Sequence, residues 1–204
     1  MHHVRLTERY GPTALHLYGA TLGEKHLNGL LREIVGLSDG ALVILDFTGV
    51  EAASASYLKA TYGRLLAAAI RSAGSSGVSN KIEHGEDCLN IYPTVAGLSE
   101  DVRGEFDLLL AALSLPGVEA GRWKGEKLIS GRVRGPLEGV LKETLQRVTT
   151  MRHATAFDMV DERLRNPTAW NNRLADLYRL RLVRRVKEGR QWVYTPIADE
   201  VTLG

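Results

Sequence analysis

Side chains that can bind bases and phosphates are concentrated between residues 168 and 190. Helical spacing over 168–180 turns Leu174, Leu177 and Tyr178 toward a core. The same spacing turns a polar row outward: Asn171, Asn172, Arg173, Asp176 and Arg179. Asparagine can form two hydrogen bonds with the edge of adenine, and arginine can do so with guanine or hold a phosphate. The row therefore has the composition of a helix that reads the major groove of DNA.

A basic row follows this helix. Residues 182–194 alternate in a way that predicts two strands around a Glu188-Gly189 turn, and the basic side chains expected to face a phosphate backbone are Arg184, Arg185, Lys187 and Arg190. Residues 1–150 carry 16 Lys/Arg against 17 Asp/Glu, whereas residues 151–195 carry 10 against 5. The excess of positive charge is local to this end of the chain, which favours a polyanionic partner.

Two further helices are predicted ahead of the polar row. Apolar residues at helical spacing indicate one at 137–148 and a second at about 154–164. Asn166-Pro167 should end the second helix, and Thr168 is expected to cap the third. Gly135-Pro136 marks a domain boundary, which divides the chain into 1–134 and 135–204. Residues 118–134 fit either a hairpin around Lys124-Gly125 or a linker.

The segment TAWNNRLADLYRLRLVRRVKEGRQWVYTPI resembles the recognition helix and wing of bacterial winged helix-turn-helix regulators. The resemblance covers about residues 135–197. It implies contacts with double-stranded DNA from Thr168, Asn171, Asn172 and Arg173 on the helix, and from Arg184, Arg185, Lys187 and Arg190 on the wing. Regulators of this class commonly read two half-sites, so a homodimer is expected by analogy.

The first 134 residues predict an α/β domain. The continuous apolar run 41–47 is typical of a strand buried on both faces. The other elements expected here are strands at 2–9, 13–18 and 88–92, helices at 22–35, 54–73 and 99–113, and a polar loop at 74–87. Ser54 and Ser99 are positioned as N-caps of the last two helices.

The segment LVILDFTGVEAASASYLKATYGRLLAA resembles the central strand and following helix of STAS domains, the anti-sigma-factor antagonist type. That family carries Asp-Ser-Ser/Thr-Gly at the helix start, where a partner kinase phosphorylates a serine. Here the four positions are Ser54, Ala55, Ser56 and Tyr57, so the position of the phosphoserine is alanine. Ser54 and Ser56 keep hydroxyls, which serve either as phosphorylation sites or as helix caps.

Several classes of function are not expected. The chain has no P-loop, dinucleotide fingerprint or nucleophile elbow, and its six histidines show no metal-site spacing, so neither an enzyme nor a cofactor or metal site is predicted. The single cysteine, Cys88, fits a reducing compartment. No signal peptide and no membrane-spanning run are visible, which predicts a cytoplasmic protein that does not contact membranes.

The sequence thus predicts a DNA-binding transcriptional regulator: a STAS-like α/β domain for sensing, dimerisation or partner binding, joined to a winged helix-turn-helix domain. One alternative is a protein-interaction adaptor in a STAS/kinase-type signalling switch that does not bind DNA. Another is a sensor with a ligand pocket in the first domain.

Overall fold

The computed structural model describes residues 1–74, 89–162 and 164–204. In chain order its strands are β1 (His2–Arg5), β2 (His16–Leu17), β3 (Ala41–Asp46), β4 (Ala52–Ala53), β5 (Ile91–Ala96), β6 (Gly117–Lys124), β7 (Lys127–Arg134), β8 (Val183–Glu188), β9 (Gln191–Pro196) and β10 (Ala198–Leu203). Six of them form one sheet in the order β1-β3-β5-β6-β7-β10. All neighbours in it are parallel except β6 and β7, so the fold is α/β with a mostly parallel sheet.

The helices lie between these strands. They are α1 (Leu6–Tyr10), α2 (Ala20–Ile34), α3 (Ala55–Leu58), α4 (Arg64–Gly74), α5 (Glu100–Leu113), α6 (Gly139–Met151) and α7 (Pro167–Arg179). One π-helical turn, Lys59–Gly63, joins α3 to α4. Within the three described ranges, no helix combines the length and the apolar composition needed to cross a membrane.

Both faces of the sheet are buried, each against its own apolar cluster. On β3, Val43 and Leu45 pack into the cluster formed with α2, α4 and α5, whereas Leu42 and Ile44 pack into the cluster formed with α6, α7 and the β8–β9 hairpin. Successive strand residues point to opposite faces, so this alternation requires a layer on each side. The prediction of an inner strand buried on both faces is confirmed.

Several other predicted elements are also confirmed. The helix expected at 22–35 is α2, and Ser54 and Ser99 are N-caps whose side chains accept from the backbone N–H of Tyr57 and Val102. Residues 118–134 form the β6–β7 hairpin inside the main sheet, so the linker interpretation of this segment is wrong.

The predicted strands at 2–9 and 13–18 are largely wrong. The first strand ends at Arg5, the chain then turns into α1 and a 3₁₀ turn, Gly11–Ala14, and β2 has only two residues. An ion pair between Arg5 and Glu8, three residues apart, stabilises the helical turn. Of the loop predicted at 74–87, residues 75–87 lie outside the described residues, as does Cys88, and the strand predicted at 88–92 runs instead over Ile91–Ala96.

The helix predicted at 154–164 is absent from the described part of this segment. Ala154 forms a β-bridge with Tyr194, and the chain then makes tight turns. Side chains take up the backbone groups that a helix would use: Asp158 accepts from the N–H of Thr155, and Arg147 Nη2 donates to the carbonyl of Met159. Apolar spacing alone does not reveal this competition from polar side chains.

The last described strand returns to the main sheet. β10 runs parallel to β7, with Val201 opposite Gly131. Residues 135–197 are therefore inserted between two neighbouring strands. Residues on either side of the predicted boundary at 134 share this sheet and the second apolar cluster.

Candidate nucleic-acid interface

Helix α7 begins one residue earlier than predicted, and its cap is a different residue. Asn166 is the N-cap, and its side-chain oxygen accepts from the backbone N–H of Thr168 at 2.9 Å. Pro167 takes the first helical position, where a missing N–H costs nothing. The expectation that Thr168 caps the helix is wrong, because Asn166 already occupies that role.

The inner side of α7 is formed by Trp170, Leu174 and Leu177, all buried in the second apolar cluster. The indole N–H of Trp170 donates to the carbonyl of Leu164 at 2.9 Å. The guanidinium of Arg173 lies 4.9 Å from the centre of the Trp170 ring. Arg173 is thus half-buried against the helix it belongs to, rather than fully outward as predicted.

The outer side of α7 presents the polar residues that the sequence predicted. Thr168, Asn171 and Asn172 are exposed within its first two turns. At the other end of the helix Arg179 is exposed and forms an ion pair with Asp176 at 3.1 Å. The N-terminal half of α7 therefore offers uncharged hydrogen-bonding groups at the positive end of the helix dipole.

The β8–β9 hairpin places its basic tip beside α7. Lys187 and Arg190 are exposed, and Gly189 takes a positive φ of 60° at the turn. Lys187 lies opposite Trp192 in the ladder, with its ammonium 5.8 Å from the centre of the indole ring. The tip of the hairpin therefore carries two accessible positive charges next to an aromatic ring.

The other two predicted basic residues of the hairpin are not at this surface. Arg184 is half-buried: its Nη1 donates to the carbonyl of Gly40 at 2.8 Å, and its guanidinium lies 4.8 Å from the ring centre of Tyr92. Arg185 lies 4.1 Å from the ring centres of both Tyr178 and Trp192. Arg184 thus joins the hairpin to the sheet, and Arg185 holds two aromatic side chains together.

A groove of about 260 Å³ lies between the start of α7, the hairpin and the turn that replaces the predicted second helix. Its lining is Thr155, Ala156, Phe157, Pro167, Thr168, Asn171, Arg190, Gln191 and Trp192. Phe157 is 63% exposed and Trp192 is 38% exposed. Sequence reasoning missed Phe157 because it lies within the helix predicted at about 154–164, where helical spacing turns apolar side chains toward the core. Trp192 was detectable, since a two-residue turn pairs it with Lys187.

A second residue that the sequence did not reveal is Arg181, which is only 2% exposed. Its Nε donates to the carbonyl of Ala69 at 2.8 Å, and its Nη1 donates to Oδ1 of Asn90 at 3.0 Å. Its guanidinium lies between the rings of Tyr92 and Tyr178. Arg181 therefore joins the end of α7 to the elements of the other layer, and it serves structure rather than ligand contact.

The two candidate serines lie on the opposite layer. Ser54 Oγ accepts from the N–H groups of Tyr57 and Gly19 and lies 3.0 Å from Oγ of Ser56. The N–H of Ala55 donates to a carboxylate oxygen of Glu105 at 2.9 Å. A groove beside Ser54 also includes the carboxylates of Glu100, Asp101, Glu105 and Asp107. A phosphate on Ser54 would lie among these negative charges, which opposes the attraction of the helix N-terminus.

Asp46, at the end of β3, is held by hydrogen bonds. Its carboxylate accepts from the backbone N–H of Thr48 at 2.8 Å and contacts Nε2 of His3 and Nε of Arg5. Burial raises the pKa of Asp46, but these hydrogen bonds outweigh it and hold the pKa below its ordinary value. Asp46 therefore joins β1 to β3 as a carboxylate.

No family model, curated protein or solved structure matches this chain.

Proposed function

We propose that the protein is a DNA-binding transcriptional regulator whose residues 135–197 act as a winged helix-turn-helix in which turns over the described residues 155–162 replace the second helix. The observation that carries the proposal is that the start of α7 and the tip of the hairpin meet at one groove, which Thr168, Asn171 and Arg190 line together. Helix α7 would enter the major groove with Asn171 and Asn172 at base edges. Lys187 and Arg190 would contact the phosphate backbone.

The charges around this surface support a polyanionic partner. Asp176 is paired with Arg179, and Glu188 is the acidic residue beside the hairpin tip. The hairpin tip therefore carries the two positive charges of Lys187 and Arg190 against the one negative charge of Glu188 between them. At the tip beside α7, they would contact the phosphate backbone next to a helix that occupies the major groove.

The layer formed by α2, α4 and α5 would sense a signal, bind a protein partner or mediate dimerisation, as in a STAS-like domain. We propose that the regulator reads duplex DNA as a homodimer in the cytoplasm, without enzymatic activity or a cofactor. The acidic side chains beside Ser54 would repel phosphates, which supports a role for this layer other than DNA contact.

The test is fluorescence anisotropy of labelled duplex over a salt series. Lys187→Ala/Arg190→Ala should weaken binding to every sequence and reduce the slope of log affinity against log salt by about 2, since each lost phosphate contact contributes about 0.9. Asn171→Ala should instead reduce the preference for DNA from upstream of the protein's own gene over scrambled duplex. The difference in binding free energy between the two duplexes should fall by about 1–3 kcal/mol.

The matched control is Lys25→Ala/Lys59→Ala, which removes the same charge from exposed positions on the opposite layer. It should leave the salt slope unchanged. An equal loss in both double variants would mean that net charge alone, and not this surface, drives binding.

A protein-interaction adaptor is the second candidate, and the exposed apolar side chains favour it. Phe157, Val186 and Trp192 are exposed around the α7 and hairpin surface, as expected at the centre of a protein interface. No binding to either duplex near 100 mM salt, on the order of physiological strength, together with loss of a co-purifying protein in Phe157→Ala, would favour this function over DNA binding.

A further inference from the structure

The groove between α7, the hairpin and the 155–158 turn has properties that contact with a regular duplex does not explain. Two aromatic rings, Phe157 and Trp192, line it and are open to solvent. A base that is paired and stacked in a duplex exposes only its edges in the grooves. The flat face of a base reaches an aromatic ring only when the base has left the stack.

Neighbouring residues hold the turn that carries Phe157 and the ring of Trp192. Phe157 lies in a turn that Thr155 and Asp158 close from both sides: the Thr155 hydroxyl donates to the Asp158 carboxylate at 2.8 Å, and the Asp158 N–H donates back to that hydroxyl. Trp192 is held by Arg185, whose guanidinium lies 4.1 Å from its ring centre. Because these supports come from the chain itself, the backbone around Phe157 and the ring of Trp192 need little ordering when a ligand binds.

The polar lining supplies the other contacts that a nucleotide requires. Asn171 and Gln191 offer amides for a base edge, Thr168 offers a hydroxyl, and Arg190 offers a charge for phosphate. None of these four side chains forms a hydrogen bond with another residue of the described ranges. The groove thus combines flat apolar surface, uncommitted amides and one cation, which matches a nucleotide better than a purely apolar ligand.

We propose that this groove holds one unpaired nucleobase, stacked against Phe157 and Trp192, with Asn171 or Gln191 at its edge and Arg190 at its phosphate. The proposal rests on the proposed binding of DNA by the same surface. It assigns that surface a preference for duplex with a base outside the stack, such as a single-base bulge, over a perfect duplex of the same sequence.

The experiment compares the affinity of the full chain for a perfect duplex and for the same duplex with one extra unpaired adenine, by anisotropy. We expect the bulged duplex to bind about tenfold tighter, the scale of stacking one base on an aromatic side chain. A bulge that carries an abasic residue tests whether the base itself is required. It should bind like the perfect duplex.

Two variants locate the effect. Phe157→Ala should lower the affinity for the bulged duplex until it equals the affinity for the perfect duplex. The affinity for the perfect duplex should not change. Trp192→Phe keeps a ring and should retain most of the preference. Val186→Ala, which removes an exposed apolar side chain of the same hairpin outside the groove lining, should change neither affinity.

The outcomes separate the two proposals. Equal affinities for perfect, bulged and abasic duplexes would overturn the base site and leave DNA binding intact. Tight binding of the bulged duplex, with no binding of the perfect duplex, would support the base site and contradict the proposal that the protein is a regulator of perfect duplex DNA. Phe157→Ala could instead change the oligomeric state in sedimentation and leave the affinities for the perfect and the bulged duplex unchanged. In that case the groove is an interface between copies of the chain, and the base site is wrong. Absence of binding to all three overturns both.

Discussion

At the scale of single residues, Arg181 shows how one buried charge can hold two layers together. Its guanidinium is removed from water, which is costly unless its donors find partners. The carbonyl of Ala69 and the amide of Asn90 provide two acceptors, and the rings of Tyr92 and Tyr178 cover it. Because Ala69, Asn90 and Tyr92 lie before the predicted boundary, this side chain helps to fix the end of α7 against the other layer.

Arg181→Met tests this dependence, since methionine keeps the apolar stem and removes the donors. We expect the free energy of unfolding to fall by about 2–3 kcal/mol, because hydrogen bonds from charged groups are lost and their acceptors stay buried. Denaturant unfolding followed by far-UV circular dichroism measures this change.

Arg179→Met, two residues earlier, is the matched control. It removes an exposed arginine whose ion pair with Asp176 lies at the surface, so a loss below about 1 kcal/mol is expected. Similar losses in the two variants would contradict a special role for the buried guanidinium.

The sequence predicted the exposure of side chains well where helical spacing alone determines it. It predicted exposure poorly for arginines that pack against aromatic rings. Asn171 and Asn172 are exposed as periodicity requires. Arg173 and Arg185 instead lie over neighbouring rings, and Arg184 bonds to Gly40, which is distant in the sequence. The bond from Arg184 to Gly40 leaves no trace in local spacing, whereas Trp170 lies only three residues before Arg173 on the same helix.

At the scale of elements, hydrogen-bonding side chains decide where helices begin and where they fail to form. Asn166 provides the first cap of α7, and Asp158 and Asp161 accept backbone N–H groups of the preceding turns. The apolar spacing of 154–164 predicted a helix because it ignores these acceptors. The apolar residues 41–45 of β3 predicted a buried strand correctly, since the run itself holds no polar side chain to compete for the backbone groups before Asp46 at its end.

The cap assignment can be tested by Asn166→Ala. Alanine removes the side-chain oxygen that accepts from the backbone N–H of Thr168, so the free energy of unfolding should fall by about 1 kcal/mol. Thr168→Ala should cost less than about 0.5 kcal/mol, as expected for a surface substitution outside the cap. If thermal unfolding shows a larger loss of stability for Thr168→Ala than for Asn166→Ala, Thr168 is the cap and the assignment of Asn166 is wrong.

At the scale of the whole molecule, the shared sheet should couple the two layers into one cooperative unit. Ile34 is fully buried in the cluster with α4 and α5, on the face opposite α7. Ile34→Val should cost about 1 kcal/mol. In hydrogen exchange the slowest amides of α7 should lose protection by the same amount as those of β3, because both open only by global unfolding.

The control for this measurement is Val186→Ala, which changes an exposed side chain and should leave exchange in both elements unaltered. Loss of protection in β3 with none in α7 would mean that the layers unfold independently. The sequence did not predict this coupling, since the pairing of β10 with β7 joins residues about 70 positions apart and depends on the inserted segment folding between them.

The place of β10 also has a consequence for synthesis on the ribosome. The hydrogen-bonding edge of β7 is complete at Arg134, but the strand that covers it begins at Ala198. The intervening residues take about 3–12 s to add at roughly 5–20 residues per second. During that interval a nascent chain would carry an open strand edge, which other chains can join. Folding without aggregation therefore depends on how quickly residues 198–203 leave the exit tunnel, or on a chaperone that covers β7 until they do.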